Sequence, residues 1–304
     1  MPAAALRQNS AATRAEFWGQ ELDRTGYCVI PNLLPAKKIA ALHSDLGERL
    51  ERTPFCEGDF YGRRTKRFGG LLKRSPHAEA LVAHPAILAI AEQVLGPFCD
   101  RFQVNLTQAI SIHPGEGAQP PHRDQDMWAA PKGEYEYLLN VIWPFTPFTA
   151  ENGATLLFPG SHGPALNDPV DMDAAVAAEM DPGSALVFLG STLHGGGANR
   201  ARMPRTGVCV SYCLGWLKPY ENQWLVYPPQ IARTFSPQLA ALIGYQQHRP
   251  NLGNYEGRCP SILFDTAPDE YLNAVDALTP EQSTMLRQFK AAQNQPAAPP
   301  LALI

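Results

Sequence analysis

The chain has 304 residues, of which 45% are hydrophobic and 18% charged, and its formal net charge is -4. This length suffices for one domain with a large core. The negative charge argues against a basic nucleic-acid surface and a polybasic membrane patch, and no apolar run approaches the ~18 residues of a membrane span. We therefore expect a cytoplasmic protein with reduced cysteines and a small-molecule substrate, with no nucleic-acid or membrane partner.

The first third of the chain predicts helices and one short strand. Ile39, Leu42 and Leu46 recur with the helical period in a segment that Pro35 opens. The other predicted elements are a helix over residues 12–24, a strand over 27–30, and an apolar helix over 78–95 that breaks near Pro85. We expect residues 1–15 to form a flexible N-terminus.

From Phe102 onward the pattern changes to short runs rich in apolar and β-branched residues. The predicted strands are residues 102–112, 137–143, 154–158, 185–189 and 207–214. Turn signals containing proline, glycine and asparagine separate these runs. This rhythm favours a mainly β fold with flanking helices, built on a double-stranded β-helix, which is a jelly-roll, cupin-like core.

A block rich in aromatic residues and prolines follows the last predicted strand. Between about residues 218 and 260 it holds Tyr220, Trp224 and Tyr227, with a helix predicted near 237–245. This composition is atypical of a solvated loop, so we expect a cover over the barrel mouth that keeps water out. A satellite hydrophobic cluster far from the site is the alternative. We assign residues 16–290 to one domain and 291–304 to a flexible tail.

The tripeptide His122-Arg123-Asp124 is typical of two different sites. In a protein-kinase catalytic loop an Asn stands five residues after the Asp, but this chain has Ala129 there and no Asp-Phe-Gly follows. Residues two apart on a strand point to the same face, so the imidazole of His122 and the carboxylate of Asp124 can bind one metal ion. Alone, such a pair is weak evidence, because it also arises by chance.

A second histidine strengthens the metal interpretation. His194 stands between the apolar run 185–189 and three glycines, where it can reach the face of a neighbouring strand. Two histidines and one carboxylate with open positions form the facial triad of non-haem Fe(II) oxygenases, and zinc accepts the same ligands. We therefore predict that His122, Asp124 and His194 are the metal ligands and the catalytic residues.

Arg205, 11 residues after His194, points to a carboxylate ligand beside the metal. In a strand it shares one face with small residues, namely Gly207, Cys209, Ser211 and Cys213. That face leaves room for a ligand, and a guanidinium holds a carboxylate through two hydrogen bonds. Cys209 and Cys213 are expected to be apolar fillers beside the pocket.

Together these motifs resemble the phytanoyl-CoA dioxygenase family of Fe(II)- and 2-oxoglutarate-dependent oxygenases. The resemblance spans about residues 16–264. Its clearest segments are residues 26–32, 119–125, 152–155, 159–162 and 194–205. Residues 221–223, with 242–245 behind them, are similar to the branch that modifies fungal terpenoids and alkaloids.

The resemblance implies a role for each site residue. His122, Asp124 and His194 would bind Fe(II), and Arg205 would pair with the distal carboxylate of 2-oxoglutarate. The further candidates for binding this cosubstrate are Gln119, Thr155 and Gln108, with Thr107 beside Gln108 because the strand register is open. In the family His162 belongs to a structural turn and is not a ligand. Dioxygen is the other cosubstrate, and ascorbate is a candidate reductant.

The implied reaction is oxidation of a small, hydrophobic, natural-product-like substrate by hydroxylation, desaturation or rearrangement, with release of succinate and CO2. Asp124 argues against halogenation, because halogenating relatives replace this carboxylate with a small residue. Relatives of this branch often form homodimers. A zinc-dependent hydrolase or isomerase on a cupin-like barrel, and a non-enzymatic jelly-roll binding module, stay open as alternatives. The aromatic candidates for the substrate mouth are Phe60, Tyr61, Phe68, Trp128, Tyr220, Trp224 and Tyr227.

Overall fold

A computed structural model describes residues 11–264 and 271–293, and two antiparallel sheets form its centre. The strands are β1 (Tyr27–Ile30), β2 (Thr65–Gly69), β3 (Phe102–Ile112), β4 (Leu138–Pro144), β5 (Thr155–Leu157), β6 (Val176–Ala177), β7 (Ala185–Leu189), β8 (His194–Gly196) and β9 (Arg205–Leu214). The α-helices are α1 (Ala11–Thr25), α2 (Ala36–Arg52), α3 (Glu79–Val82), α4 (Pro85–Leu95), α5 (Gln223–Val226), α6 (Pro229–Ala232), α7 (Pro237–Leu242) and α8 (Pro280–Gln293).

The larger sheet has the strand order β1-β7-β4-β9-β3-β2, and the smaller sheet has the order β6-β5-β8. Neighbouring strands run antiparallel, and several are distant in sequence, such as β1 with β7 and β3 with β9. The two sheets do not close into a continuous barrel. This arrangement confirms the predicted mainly β, cupin-like fold with flanking helices.

The side chains of β9 point alternately into the hydrophobic core and into a cavity on the other face of the sheet. Val208, Val210 and Tyr212 belong to the main hydrophobic core, which α2 and α4 cover. The hydroxyl of Tyr212 also donates to the backbone oxygen of Val82 at 2.7 Å. Arg205 and Cys209 face the opposite side and line a cavity. The side-chain faces predicted for this strand are therefore confirmed.

The main departures from the predicted elements are strands β2 and β8 and helix α8. Strand β2 has the sequence Thr-Lys-Arg-Phe-Gly, which lacks an apolar run, and it lies at the sheet edge and pairs with β3 alone. The break near Pro85 is present, because α3 ends at Val82 and α4 begins at Pro85. Of the two predicted flexible ends, residues 1–10 and 294–304 lie outside the described residues, while residues 11–15 belong to α1 and 291–293 to α8.

The partly buried carboxyl group of Glu136 stabilises the loop that leads into β8. Glu136, just before β4, accepts hydrogen bonds from the hydroxyl of Ser191 and from its backbone N–H, the latter at 3.4 Å. Burial raises the pKa of Glu136 to about 7, and the bonds from Ser191 offset only part of that effect. Because Ser191 lies three residues before His194, this contact helps to position one of the predicted metal ligands.

We expect Glu136→Gln to change the pH dependence of folding. The raised pKa means that the folded chain binds this proton more tightly than the unfolded chain, so ionisation destabilises the fold as the pH rises toward about 7. Between about pH 5 and about pH 8, the free energy of unfolding of the wild type should therefore fall by up to ~3 kcal/mol relative to the variant. Urea titrations at both pH values measure this difference. Glu134→Gln, at an exposed neighbour, is the control, and parallel profiles for wild type and Glu136→Gln would contradict the assignment.

Candidate active site

The two predicted metal-binding histidines are joined through their backbones. The N–H of His122 donates to the oxygen of His194 at 2.8 Å, and the N–H of His194 donates to the oxygen of His122 at 3.0 Å. This antiparallel bridge places the two rings 4.5 Å apart between their centroids. Asp124 follows two residues later, at the start of a short 3-10 helix over Asp124–Met127.

The three side chains direct their donor atoms toward a common point. The Nε2 atom of His122 lies 3.4 Å from Oδ1 of Asp124, and Nε2 of His194 lies 3.6 Å from Oδ2. Ligands that each bind one ion at ~2.1 Å are about 3–4 Å apart, so this spacing suits a shared metal. The ligand atoms of the three residues all lie within 4.8 Å of one another. Within residues 11–264 and 271–293, no other group of three or more His, Cys, Asp or Glu side chains has this spacing.

Hydrogen bonds orient each ligand for metal binding. The Nδ1 atoms of His122 and His194 each lie 3.0 Å from a backbone carbonyl oxygen, those of Pro120 and Thr192. A carbonyl only accepts, so each Nδ1 carries the hydrogen and each Nε2 keeps a lone pair for an ion. Asn140 donates to Oδ2 of Asp124 at 3.0 Å and orients the carboxylate.

The charges of the site also suit a divalent cation. Burial lowers the pKa of His194 and so favours the neutral imidazole that a metal requires. For Asp124 burial acts to raise the pKa, but the two histidines and Asn140 outweigh it, and the net shift is downward. For His122 burial acts to lower the pKa, but the hydrogen bond and charge of Asp124 outweigh it, and the net shift is upward. The site offers two histidine nitrogens and one carboxylate, which are the ligands of a facial Fe(II) site.

Arg205 brings a buried positive charge into the same cavity. Its side chain is buried, and neither Nε nor Nη1 has a hydrogen-bond partner among the described residues. The guanidinium carbon lies 4.3 Å from the centroid of the Phe148 ring. Burial, and then the charge of Arg67, lower the pKa of Arg205 to about 9, which leaves it cationic at neutral pH. A ligand carboxylate would satisfy these N–H groups.

All seven predicted site residues line one cavity of about 390 Å3: Gln108, Gln119, His122, Asp124, Thr155, His194 and Arg205. Gln119 spans two segments, since its Oε1 accepts from the N–H of Gly196 at 3.2 Å and its Nε2 donates to the oxygen of Phe60 at 3.1 Å. The register of β3 decides between Gln108 and Thr107, the two candidates on that strand. Gln108 faces the cavity, whereas Thr107 is buried against Leu71 and Tyr227.

Arg67, on β2, is a cavity residue that the sequence analysis missed. Its Nη1 donates to Oε1 of Gln108 at 3.2 Å, and its buried Nε has no partner in the part of the chain that is described. Its guanidinium carbon lies 5.3 Å from the centroid of the Tyr61 ring. The sequence carries no clear signal for this strand, because Thr-Lys-Arg-Phe-Gly lacks an apolar run and resembles a solvated loop.

The structure corrects the predicted substrate mouth. Phe60, Tyr61 and Tyr220 line the cavity, and the hydroxyls of Tyr61 and Tyr220 hydrogen-bond to each other. The other aromatic candidates, Phe68, Trp128, Trp224 and Tyr227, are absent from the described lining.

Each of these four has a different environment. Phe68 packs beneath the guanidinium groups of Arg49 and Arg74, and Trp128 donates to the backbone oxygen of Lys218. Tyr227 is fully buried, and Trp224 lines a separate cavity. Of the aromatic residues in the predicted cover, Tyr220 is thus the one that reaches the metal cavity in the described structure.

His162 lies outside the triad, as expected. Its Nε2 contacts the backbone oxygen of Asp23 at 3.0 Å, and a Cβ added to Gly26 would approach its ring to within 2.8 Å. His162 therefore links the turn after β5 to the end of α1 and contributes no donor atom to the metal cluster.

A family model described as Phytanoyl-CoA dioxygenase (PhyH) matches residues 22–207, which is more than half of the chain. The chain belongs to the phytanoyl-CoA dioxygenase family. Enzymes of this family use Fe(II), 2-oxoglutarate and O2, and the described cluster of His122, Asp124 and His194 fits that chemistry. The chain is thus an enzyme of the Fe(II)/2-oxoglutarate oxygenase kind.

Named relatives agree with this family. Dioxygenase FrzG of a Cladobotryum species is 36% identical over 270 residues, covering 79% of this chain and 87% of the relative. Dioxygenase aneA of Aspergillus aculeatus is 30% identical over 264 residues, covering 81% of this chain and 87% of the relative.

Solved structures show the same fold. The α-ketoglutarate-dependent epimerase SnoN from nogalamycin biosynthesis superposes with a TM-score of 0.57 at 20% identity, covering 68% of this chain and 86% of SnoN. The carbocyclase SnoK from the same biosynthesis gives a TM-score of 0.53 at 19% identity, covering 68% of this chain and 87% of SnoK.

No helix within the described ranges is both long and apolar enough to cross a membrane.

Replacing either histidine should remove the metal. We expect His122→Ala and His194→Ala each to reduce bound iron by about tenfold or more after anaerobic reconstitution with Fe(II), because two ligands hold the ion poorly against water. Elemental analysis measures the loss. His162→Ala is the matched control and should keep its iron, while near-stoichiometric iron in either triad variant would contradict the assignment.

Proposed function

We propose that the protein oxidises a small, largely apolar, natural-product-like molecule in a reaction coupled to decarboxylation of 2-oxoglutarate. Hydroxylation is the simplest outcome, and desaturation or rearrangement can follow from the same site. The observation that carries this proposal is the buried, unpaired guanidinium of Arg205 in the cavity that holds His122, Asp124 and His194. A metal site that acts without a carboxylate-bearing cosubstrate has no need of such a cation.

The proposed ligands of iron are His122, Asp124 and His194. When bound, iron with O2 and 2-oxoglutarate supplies the oxidising chemistry, and succinate and CO2 are released. The protein contributes positioning, because carbonyl contacts fix both imidazoles and Asn140 fixes Asp124. Two imidazoles and a single carboxylate leave the remaining positions of the ion open to ligands.

The cosubstrate is a dianion, and three arginines line the cavity, none of them ion-paired in the described residues. Arg123 donates to the backbone oxygens of Ser191 and Ser161, whereas Arg67 and Arg205 keep N–H groups without a partner. Arg205 would bind the distal carboxylate through its free Nε and Nη1 hydrogens. Arg67 supplies a second cation with a free Nε, on β2 of the same sheet, with β3 between it and Arg205 on β9. Gln108, Gln119 and Thr155 add neutral polar groups that would orient the bound molecule.

The cavity walls support an apolar substrate. Leu106, Ile110 and Ile112 from β3 lie along one side, and Phe60 packs edge-on against the His122 ring with 4.9 Å between centroids. Above them the hydrogen-bonded pair Tyr61 and Tyr220 narrows the opening. A cavity of about 390 Å3 falls within the usual range of small-molecule sites.

We also propose that the protein is cytoplasmic and that it forms a homodimer.

Metal dependence separates this function from its two alternatives. With Fe(II) and O2, the protein should consume 2-oxoglutarate and form succinate, and Zn(II) should not support that reaction. Hydrolysis or isomerisation with Zn(II) and without 2-oxoglutarate would favour a zinc enzyme. Binding of 2-oxoglutarate without turnover in the presence of Fe(II) and O2 would favour a binding module.

Loss of Arg205 should weaken cosubstrate binding without removing iron. Truncating one partner of a buried charged pair costs about 2–5 kcal/mol, so Arg205→Ala should raise the Kd for 2-oxoglutarate by about 30-fold or more. Arg205→Lys should recover only part of this, because an ammonium lacks the planar fork. Anaerobic calorimetry measures the Kd, and Arg287→Ala, at an exposed arginine of α8, is the control. An unchanged Kd in Arg205→Ala would mean that a different basic residue binds the carboxylate of 2-oxoglutarate.

The tyrosine pair should limit the entry of water. Tyr61→Phe removes one interresidue hydrogen bond at the mouth, worth about 1 kcal/mol, and so should favour the open mouth by roughly fivefold. Without substrate, we expect faster self-inactivation per 2-oxoglutarate consumed, with an unchanged melting temperature. Trp224→Phe, at an aromatic residue outside this cavity, is the control. Equal inactivation in wild type and Tyr61→Phe would contradict a gating role.

A further inference from the structure

A second cavity, of about 420 Å3, lies apart from the metal site and shares no described lining residue with it. Its walls come from the start of β3, the residues just after β9, and the segment that contains α5 and α7. The indole rings of Trp216 and Trp224 line it, together with Ile243 and Leu252. The two indoles are nearly half exposed, at 41% and 48%, so the cavity is open to an incoming molecule.

Two buried polar atoms at this cavity have no hydrogen-bond partner in the described residues. They are Nδ1 of His248, a side chain only 9% exposed, and Nε of Arg101. Nε of Arg101 forms an ion pair with Asp100 at 3.6 Å, which is too long for a hydrogen bond, and Asp100 is also bound by Arg249 at 3.0 and 3.1 Å. Buried polar groups are normally satisfied, so these two atoms indicate a missing ligand.

Both unpaired atoms are hydrogen-bond donors. The Nε2 atom of His248 accepts from the backbone N–H of Asp100 at 3.1 Å, so the neutral ring carries its hydrogen on Nδ1. Burial lowers the pKa of His248, which favours that neutral ring. The Nε atom of Arg101 also carries a hydrogen. The ligand must therefore present acceptor atoms to this part of the wall.

The charge of the lining selects the kind of acceptor. Arg101 and Lys218 are its cations, and no aspartate or glutamate belongs to the described lining. Lys218 is exposed and has no ion-pair partner within the ranges described. Among acceptor groups, a carboxylate matches both the two donors and the positive charge.

We propose that this cavity binds a small organic acid, with its apolar ring system between Trp216 and Trp224 and its carboxylate toward His248 and Arg101. The volume lies in the range of small-molecule sites, which combine apolar walls with a few polar groups. A flat protein surface would cover the indoles but would not reach the two donors. The site therefore favours a small molecule over a second protein chain, and it does not depend on the proposed reaction.

The test uses 1-naphthoate as the probe and the full chain as the protein. We expect saturable quenching of tryptophan fluorescence with one molecule bound per chain. Ala241, on α7, lines the cavity, so Ala241→Leu fills space there while keeping a strong helix former. This variant should weaken naphthoate binding by about tenfold or more. Absence of one-to-one binding to the wild type, or an equal affinity in Ala241→Leu, would overturn the proposal.

Two comparisons test the role of charge. Lys218→Ala should weaken binding by about two- to fivefold, as expected for an exposed cation, whereas Lys290→Ala, at an exposed lysine of α8, should leave it unchanged. The neutral analogue 1-naphthol should bind less tightly than naphthoate. Equal binding of the two compounds would overturn the assignment of a carboxylate.

Two further outcomes would show that the probe binds in the metal cavity or that a second chain covers this cavity. If Arg205→Ala abolishes naphthoate binding, the probe occupies the metal cavity and the proposal fails. If sedimentation shows a dimer that Ala241→Leu dissociates and naphthoate does not, a second copy of the chain covers this cavity. Retention of naphthoate binding in Arg205→Ala, with its loss in Ala241→Leu at a constant oligomeric state, supports the proposal.

Discussion

The pair of backbone hydrogen bonds between His122 and His194 is the constraint on which the rest of the site depends. It joins two segments that are more than 70 residues apart and aligns both imidazoles. The carbonyls of Pro120 and Thr192 then select the tautomer in which Nε2 is free. Asp124 can complete the triad because the chain turns into a short helix immediately after His122. A metal site of this precision needs rigid backbone, and the bridge supplies it.

The charge distribution of the cavity follows from this geometry. One carboxylate, Asp124, lies beside the two histidines, and a second, Asp126, pairs with Lys132. Arg205 and Arg67 line the same cavity without acidic partners in the described chain. Buried cations normally find partners, so this arrangement is unfavourable for an empty cavity and favourable for one that holds a dianion. In the proposed function, the same electrostatic imbalance would provide affinity for the cosubstrate.

The segment after β9 serves two cavities rather than one. Tyr220 contributes to the metal cavity, and Trp224, four residues later, contributes to the second. Asn105, at an irregularity in β3, fixes the boundary between them, since its Oδ1 accepts from the N–H of Tyr220 and its backbone oxygen accepts from Gln223. The aromatic residues of this segment therefore line two cavities, with Tyr227 buried as part of the core.

Local patterns determined much of this protein. The alternation in β9 placed Arg205 and Cys209 on one face and the core residues on the other, because side chains in a strand alternate whatever their neighbours are. The proposed ligands could also be found from the sequence, because His122 and Asp124 are two residues apart and His194 follows an apolar run. The expected strand is absent at Asp124, which begins a 3-10 helix. Only the tertiary structure decided the position of Arg67, the choice between Gln108 and Thr107, and the aromatic residues at the mouth. Each of these depends on which strand lies beside β3, and a basic edge strand such as β2 carries no periodic signal that would reveal its pairing.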